Sequence, residues 1–233
     1  MNNKFNYLLI GNTRLHWAEN INNSYRFCHT EINEPFPKNL KTNNLVWASV
    51  GNYQTERFDK KNEITINNFN TRKIPKNFGV DRALCCLYAL KKFDNPMKKN
   101  LLIADFGTVL SITKLNADGF IIGGQLIPGF LTQLKSMGKS TKNLNVPDIL
   151  KIPKNKFQIK TSQAMLKGVH DSLIGAISMS FNYRKDILII CGGDAELMSK
   201  SLKQKIKEIK IEPNLVMLGM IFAHKNKINL RDF

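Results

Sequence analysis

Two stretches of this chain share one pattern, and the repeat constrains the fold more than any other feature. Leu8-Leu9-Ile10-Gly11-Asn12-Thr13-Arg14-Leu15-His16-Trp17 and Ile103-Ala104-Asp105-Phe106-Gly107-Thr108-Val109-Leu110-Ser111-Ile112 each place an apolar strand, a glycine with a threonine, and a second strand. A glycine in such a turn lets the backbone approach a ligand closely. The N–H groups and the threonine hydroxyl can then donate to phosphate oxygens. Two copies separated by about one small domain imply an internal duplication with one phosphate loop per half. The boundary falls near Asn95–Lys99, giving halves 1–97 and 98–233.

Periodicity supports an α/β chain. Strands are expected at Tyr7–Ile10, Leu15–Ala18, Tyr25–Thr30, Leu45–Val50 and Ile64–Ile66, with an irregular stretch at Pro35–Lys41. Ala83, Leu84, Leu87, Tyr88 and Leu90 recur at helical spacing, so Val80–Phe93 reads as a helix broken by Asp94-Asn95-Pro96. The second half reads as strands Leu101–Ala104 and Val109–Leu115, with Phe120–Ile122 leading into Gly123-Gly124-Gln125-Leu126-Ile127-Pro128-Gly129. Helices follow at Phe130–Met137 and Ser162–Asn182, with a basic loop over Gly138–Lys160. A strand at Asp186–Cys191, a helix at Ala195–Lys203, a strand at Ile209–Ile211 and a helix at Asn214–His224 complete the chain.

The composition suits a folded enzyme-sized protein: 233 residues, 42% hydrophobic and 23% charged. No apolar run reaches the roughly 18 residues of a membrane span. The sequence therefore predicts a soluble cytoplasmic protein with no membrane partner. Four cysteines show no Cys-x-x-Cys spacing, which fits reduced thiols better than a metal or disulfide framework. The net charge of +17 raises nucleic acid as a partner. Yet the lysines are scattered among asparagines with no aromatic-interleaved stripe, so no specific nucleic-acid surface is expected.

Several short motifs can carry chemistry, and each has a structural alternative. Asp105-Phe106-Gly107-Thr108 can hold a cation and a phosphate, or form a plain hairpin turn. Gly79-Val80-Asp81-Arg82 opens a helix. Asp81 can serve as a general base and Arg82 can neutralise phosphate charge, or the pair can be a dipole-favoured acid and a surface arginine. Gly123–Gly129 and Cys191-Gly192-Gly193-Asp194 offer backbone freedom for close approach of a ligand or of another chain segment. Thr161 reads as the N-cap of the long helix, with a hydroxyl that could also touch substrate. The four histidines, His16, His29, His170 and His224, show no ligand spacing.

Taken in order, Gly11–Arg14, Gly79–Arg82, Asp105–Thr108, Gly123–Gly129, Thr161 with Ala164 and Gly168, and Gly192–Asp194 resemble the type III pantothenate kinase family over nearly the whole chain. The resemblance implies an actin-like ATPase fold of two ribonuclease-H-like halves, each with a mixed sheet of five-stranded type and helices, and ATP in a cleft between them. It implies phosphorylation of pantothenate by ATP, the first step of coenzyme A synthesis, in a homodimer that needs Mg²⁺ and a monovalent cation, K⁺ or NH₄⁺. It makes Asp81 the proton acceptor, and Gly79, Val80, Arg82 and Thr161 substrate contacts. It makes Gly11, Asn12, Thr13, Arg14 and Thr108 ATP contacts, and Asp105 the metal ligand.

Three positions depart from the family pattern. Leu9 stands where the family usually has an aspartate that organises metal and phosphates, Thr71-Arg72-Lys73-Ile74-Pro75 lacks a tyrosine often found before Gly-x-Asp-Arg, and Ser111 replaces a frequent threonine. Leu9 leaves two alternatives in view: a catalytically impaired binding or regulatory homologue, and a kinase of another small hydroxylated substrate.

Overall fold

The computed structural model describes residues 5–22, 24–38, 40, 42–70, 72–93, 95, 97–148 and 150–232. The chain forms two compact units: Met1–Asn95 with Gly119–Ile121 and Asn214–Phe233, and Pro96–Asp118 with Ile122–Pro213.

The first unit holds strands β1 (Asn6–Ile10), β2 (Arg14–Ile21), β3 (Ser24–Glu31) and β4 (Leu45–Ser49) in the order β3-β2-β1-β4. β1 is antiparallel to β2 and parallel to β4. The expected fifth strand is absent among the described residues. Its place is marked by a single parallel bridge from Trp47 to Glu63, with Ile64 N–H donating to the Trp47 carbonyl at 2.8 Å. The segment then turns into a 3₁₀ helix at Ile66–Asn68, where Asn68 Oδ1 accepts from the Thr65 N–H at 2.7 Å. Those local hydrogen bonds take the backbone groups that a strand would need.

Helix α1 (Val80–Lys92) buries Val80, Ala83, Leu84 and Leu87 against one face of this sheet, as its spacing requires. The break at 94–96 lies partly outside the described residues.

The second unit repeats the plan. Strands β5 (Asn100–Phe106), β6 (Val109–Leu115), β7 (Ile121–Pro128), β8 (Asp186–Cys191) and β9 (Ile209–Ile211) lie in the order β7-β6-β5-β8-β9. β5 is antiparallel to β6 and parallel to β8. The Gly-Gly-Gln-Leu-Ile-Pro run, read from sequence as a source of backbone freedom, lies within the exposed edge strand β7. Helices α2 (Phe130–Ser140), α3 (Thr161–Ser180) and α4 (Ala195–Lys205) pack Phe130, Leu134, Leu166, Val169, Leu173 and Met198 into the core. Lys160, not Thr161, is the N-cap of α3; Thr161 is already helical and exposed, so its capping role is corrected. Asp186, fully buried, accepts from Asn100 Nδ2 (3.0 Å), Lys114 Nζ (2.8 Å) and the Asn182 N–H (2.8 Å), which ties four segments at the loop-distal end of the sheet.

The last helix, α5 (Leu215–Lys225), belongs to the first unit, whereas a cut at 97/98 assigns it to the second half. α5 lies against α1 so closely that a Cβ on Gly219 would collide with the Leu84 carbonyl. No helix among the described residues is long and apolar enough to cross a membrane.

Candidate active site

In the first unit, Gly11 N–H donates to the Arg14 carbonyl at 2.9 Å and closes a loop that leaves Asn12 and Thr13 exposed. The chain leaving β4 braces this loop. Val50 and Gly51 N–H both donate to the Ile10 carbonyl (2.9 and 3.2 Å), and a Cβ on Gly51 would collide with the Gly11 carbonyl. Gly51 escaped the sequence reading, although its position after a strand matches that of Gly192. Arg14 already has a partner: its Nε lies 2.9 Å from Glu31 Oε1 across the β2–β3 ladder. Leu9 is 6% exposed and packs with Ile64, Ile74 and Val80. Its cross-strand neighbour His16 is held down to about 4, chiefly by burial and then by His29 and Arg14, so it is neutral at pH 7.

Also in the first unit, Gly79 is the N-cap of α1, where a Cβ would collide with Asp81 Oδ1. Glycine there is what gives the carboxylate its room. Asp81 Oδ1 accepts the Arg82 N–H at 2.7 Å. Burial raises the Asp81 pKa, and the Arg82 N–H and guanidinium oppose the rise. A raised carboxylate at a helix start has the proton affinity of a general base. Arg82 lays its guanidinium 3.9 Å over the Phe78 ring. The Val80 side chain is buried in the core, so only its backbone can meet a ligand. Of the stretch lacking the family's tyrosine, Thr71 lies outside the described residues, and Lys73 Nζ sits 5.8 Å from the Phe120 ring centre.

In the second unit, Asp105, Gly107 and Thr108 sit at the corresponding strand end. Gly107 N–H reaches the Val109 carbonyl at 3.3 Å, one residue sooner than in the first loop. The Thr108 carbonyl accepts from Gly129 N–H (2.9 Å) and Thr132 Oγ1 (2.7 Å), so the start of α2 is fastened to the loop. A Cβ on Gly129 would collide with the Gly107 carbonyl. A Cβ on Gly192, at φ +86°, would collide with Asp105 Oδ1 and with the Phe106 carbonyl, which accepts Asp194 N–H at 3.2 Å. These glycines serve chain-to-chain packing around the loop. Thr161 is not joined to this group by any hydrogen bond among the described residues. His170, one of the histidines without ligand spacing, links Asp171 Oδ1 (2.9 Å) to Ser201 Oγ (3.1 Å) and so clasps α3 to α4.

The family profile of the type III pantothenate kinases matches residues 36–182. The chain belongs to the type III pantothenate kinase family. It is 29% identical to the type III pantothenate kinase of a Synechocystis species, covering 93% of this chain and 89% of that one. It is 26% identical to that of Flavobacterium johnsoniae, over 84% and 88%. Among solved structures it resembles a protein from Campylobacter jejuni described as of the Baf transcriptional activator family. There the TM-score is 0.65 and the identity 17%, over 96% of this chain and 98% of that one. It also resembles the activator of 2-hydroxyisocaproyl-CoA dehydratase from Clostridium difficile, solved with ADPNP. That match has a TM-score of 0.54 and 13% identity, over 96% of each chain. The fold is that of the actin-like ATPases, and membership of this kinase family makes the chain a phosphotransferase that uses ATP.

Proposed function

We propose that this chain transfers the γ-phosphoryl group of ATP to pantothenate, forming 4′-phosphopantothenate for coenzyme A synthesis. The observation that carries the reading is Asp81. It is a carboxylate with raised proton affinity, given room by Gly79 at the start of a helix inside the segment that matches the family. In the reaction Asp81 accepts the proton of the pantothenate hydroxyl as that oxygen bonds to the γ-phosphorus. The bond from phosphorus to the bridging oxygen breaks, and ADP leaves. Arg82, Gly79, the Val80 backbone and Thr161 are assigned to substrate. Gly11, Asn12, Thr13, Arg14 and Thr108 are assigned to ATP.

Asp105 offers a carboxylate oxygen at a strand end, the donor chemistry a hard cation takes, and we assign it the monovalent cation, K⁺ or NH₄⁺. Leu9 offers no donor atom, so that position adds no carboxylate to Mg²⁺, an ion that also takes phosphate oxygens and several waters. When bound, the cations offset charge on the transferred phosphoryl group.

A homodimer is supported by the edge strand β7 and the end of α3. They expose Ile122 (60%), Leu126 (63%) and Met179 (91%) and are joined by Ser180 Oγ donating to Gln125 Oε1 at 3.4 Å. Four cysteines outside any disulfide, three of them buried, suit a cytoplasmic setting.

The test is a mass-spectrometric assay of 4′-phosphopantothenate from purified protein, ATP, Mg²⁺ and pantothenate, with and without K⁺. Product is expected, and Asp81→Asn should lower the rate by about 10²–10⁴-fold without loss of fold. ATP binding without product would instead favour the impaired binding homologue that buried Leu9 keeps in view. Product from another small alcohol in a substrate panel, with none from pantothenate, would redirect the assignment within the fold.

A further inference from the structure

The first sheet carries a cavity at the end away from the Gly11 loop. β1 and β4 run toward the Gly11 loop, β2 runs away from it, and a cavity of about 880 Å³ opens at the other end of the same sheet. The starts of β1 and β4 and the end of β2 line it. So do the segment 61–68, the end of α5 and the chain at 227–231. All of these belong to the first unit.

Its wall is aromatic. Phe5 and His224 stack edge to face at 4.4 Å between ring centres, and Tyr7 meets both His224 and Tyr25 at 5.6 Å. Its polar groups form a short chain: Tyr7 Oη lies 3.0 Å from His224 Nδ1, and Asn20 Nδ2 donates to Tyr25 Oη at 3.4 Å. Asn20 Oδ1 is buried and accepts no hydrogen bond from the described residues. The rim carries Lys61, Lys225, Lys227 and Arg231 against one acidic lining side chain, Glu63. Lys225 Nζ sits 4.7 Å from the centre of the Tyr25 ring.

We infer that this cavity is a second ligand site, separate from the Gly11 loop, for a small organic anion with a flat apolar body. The rings receive the body and the lysine rim receives the negative group. Aromatic walls with a few convergent polar groups are the usual make-up of a small-molecule site. The cations confer a sign preference that an apolar cleft lacks. A ligand here would bridge β1, β2 and α5, and so would reach the Gly11 loop only through the strands it shares with it.

The test uses 8-anilinonaphthalene-1-sulfonate as probe on the full chain, followed by fluorescence, with neutral N-phenyl-1-naphthylamine as control. Saturable binding of the sulfonate is expected, weakened at least about tenfold by Lys225→Glu/Lys227→Glu, as charge reversal beside an anion requires. Lys61→Glu, on a separate segment, should weaken it in the same direction and serves as the second variant should the double variant fail to fold. Excess ADP should leave the probe in place. Equal binding by wild type and the folded variants, equal affinity for the neutral control, or displacement by ADP would overturn the inference.

Discussion

The two Gly-Thr loops are built on one plan and differ at one decisive residue. Each follows the central strand of its sheet, which is flanked by an antiparallel hairpin partner and a parallel fourth strand. In each, a carbonyl just before the loop glycine accepts from the chain leaving that fourth strand: Ile10 from Val50 and Gly51, Phe106 from Asp194. Two residues before the glycine, one strand carries Leu9 and the other Asp105. Leu9 faces Ala48 and neutral His16 across the ladders, while Asp105 faces Cys191 and Ser111. The duplicated scaffold has therefore kept its braces and given the two ends different chemistry. One loop end is closed by packing, and the other retains an oxygen donor.

The largest expected effect comes from making the second loop like the first. Asp105→Leu should lower the turnover by about 10²-fold or more, by analogy with removal of a preorganised electrostatic contact, and should abolish stimulation by K⁺. A steady-state titration of K⁺ against rate checks both. Unchanged K⁺ stimulation would show that the two loop ends are not distinguished by this carboxylate.

The reverse exchange should act on stability. Leu9→Asp puts a carboxylate into the apolar cluster that holds Ile64, Ile74 and Val80, at a cost of about 3 kcal/mol or more in chemical denaturation. It is expected to bring no gain in Mg²⁺-ATP use. A folded variant with a lower KM for Mg²⁺-ATP would mean that the first loop can still take the family's carboxylate.

The braces allow a matched pair. Gly51→Ala and Gly192→Ala each drive a Cβ into the neighbouring strand end, and Gly192 also has positive φ, so losses of about 1–3 kcal/mol are expected for each. Urea midpoints measure them. Gly192→Ala should also reduce K⁺ stimulation, because its Cβ meets Asp105 Oδ1, whereas Gly51→Ala should not.

The smallest effect is in pH. A buried acid with a raised pKa binds its proton more tightly folded than unfolded. Asp81 therefore lowers stability as pH rises from the ordinary aspartate value, about 3.8, through its folded pKa. Asp81→Asn should remove that slope and leave the protein at least as stable at neutral pH. The wild-type kcat/KM should fall as acid protonates the base. A thermal midpoint that falls in the variant at pH 7 would show that Asp81 is held by stabilising partners.

Much was legible in the residues. The strand–Gly–Thr–strand repeat announced the duplication, because the same order of groups recurs about one small domain apart. The helix opening at Val80 was visible from Ala83, Leu84 and Leu87, whose spacing only a helix brings to one face. The candidate base Asp81 was legible as a residue but not in its proton affinity, which burial decides. Thr161 looked like a cap because threonine caps well, yet Thr161 is the first helical residue and Lys160 is the cap. A fifth strand at Ile64–Ile66 gave way to a 3₁₀ turn because Thr65 and Asn68 bond locally.

Sequence by itself therefore determined the repeat, most of the strands and helices, and the types of group available for phosphoryl transfer. Those depend on neighbours along the chain and on side-chain chemistry. Only the tertiary structure decided that α5 joins the first unit through Gly219, that Gly51 and Gly192 brace the two loops, and that a cationic, aromatic cavity lies at the far end of the first sheet. Each of these depends on contacts between residues far apart in sequence, where excluded volume and burial act and local pattern carries no signal.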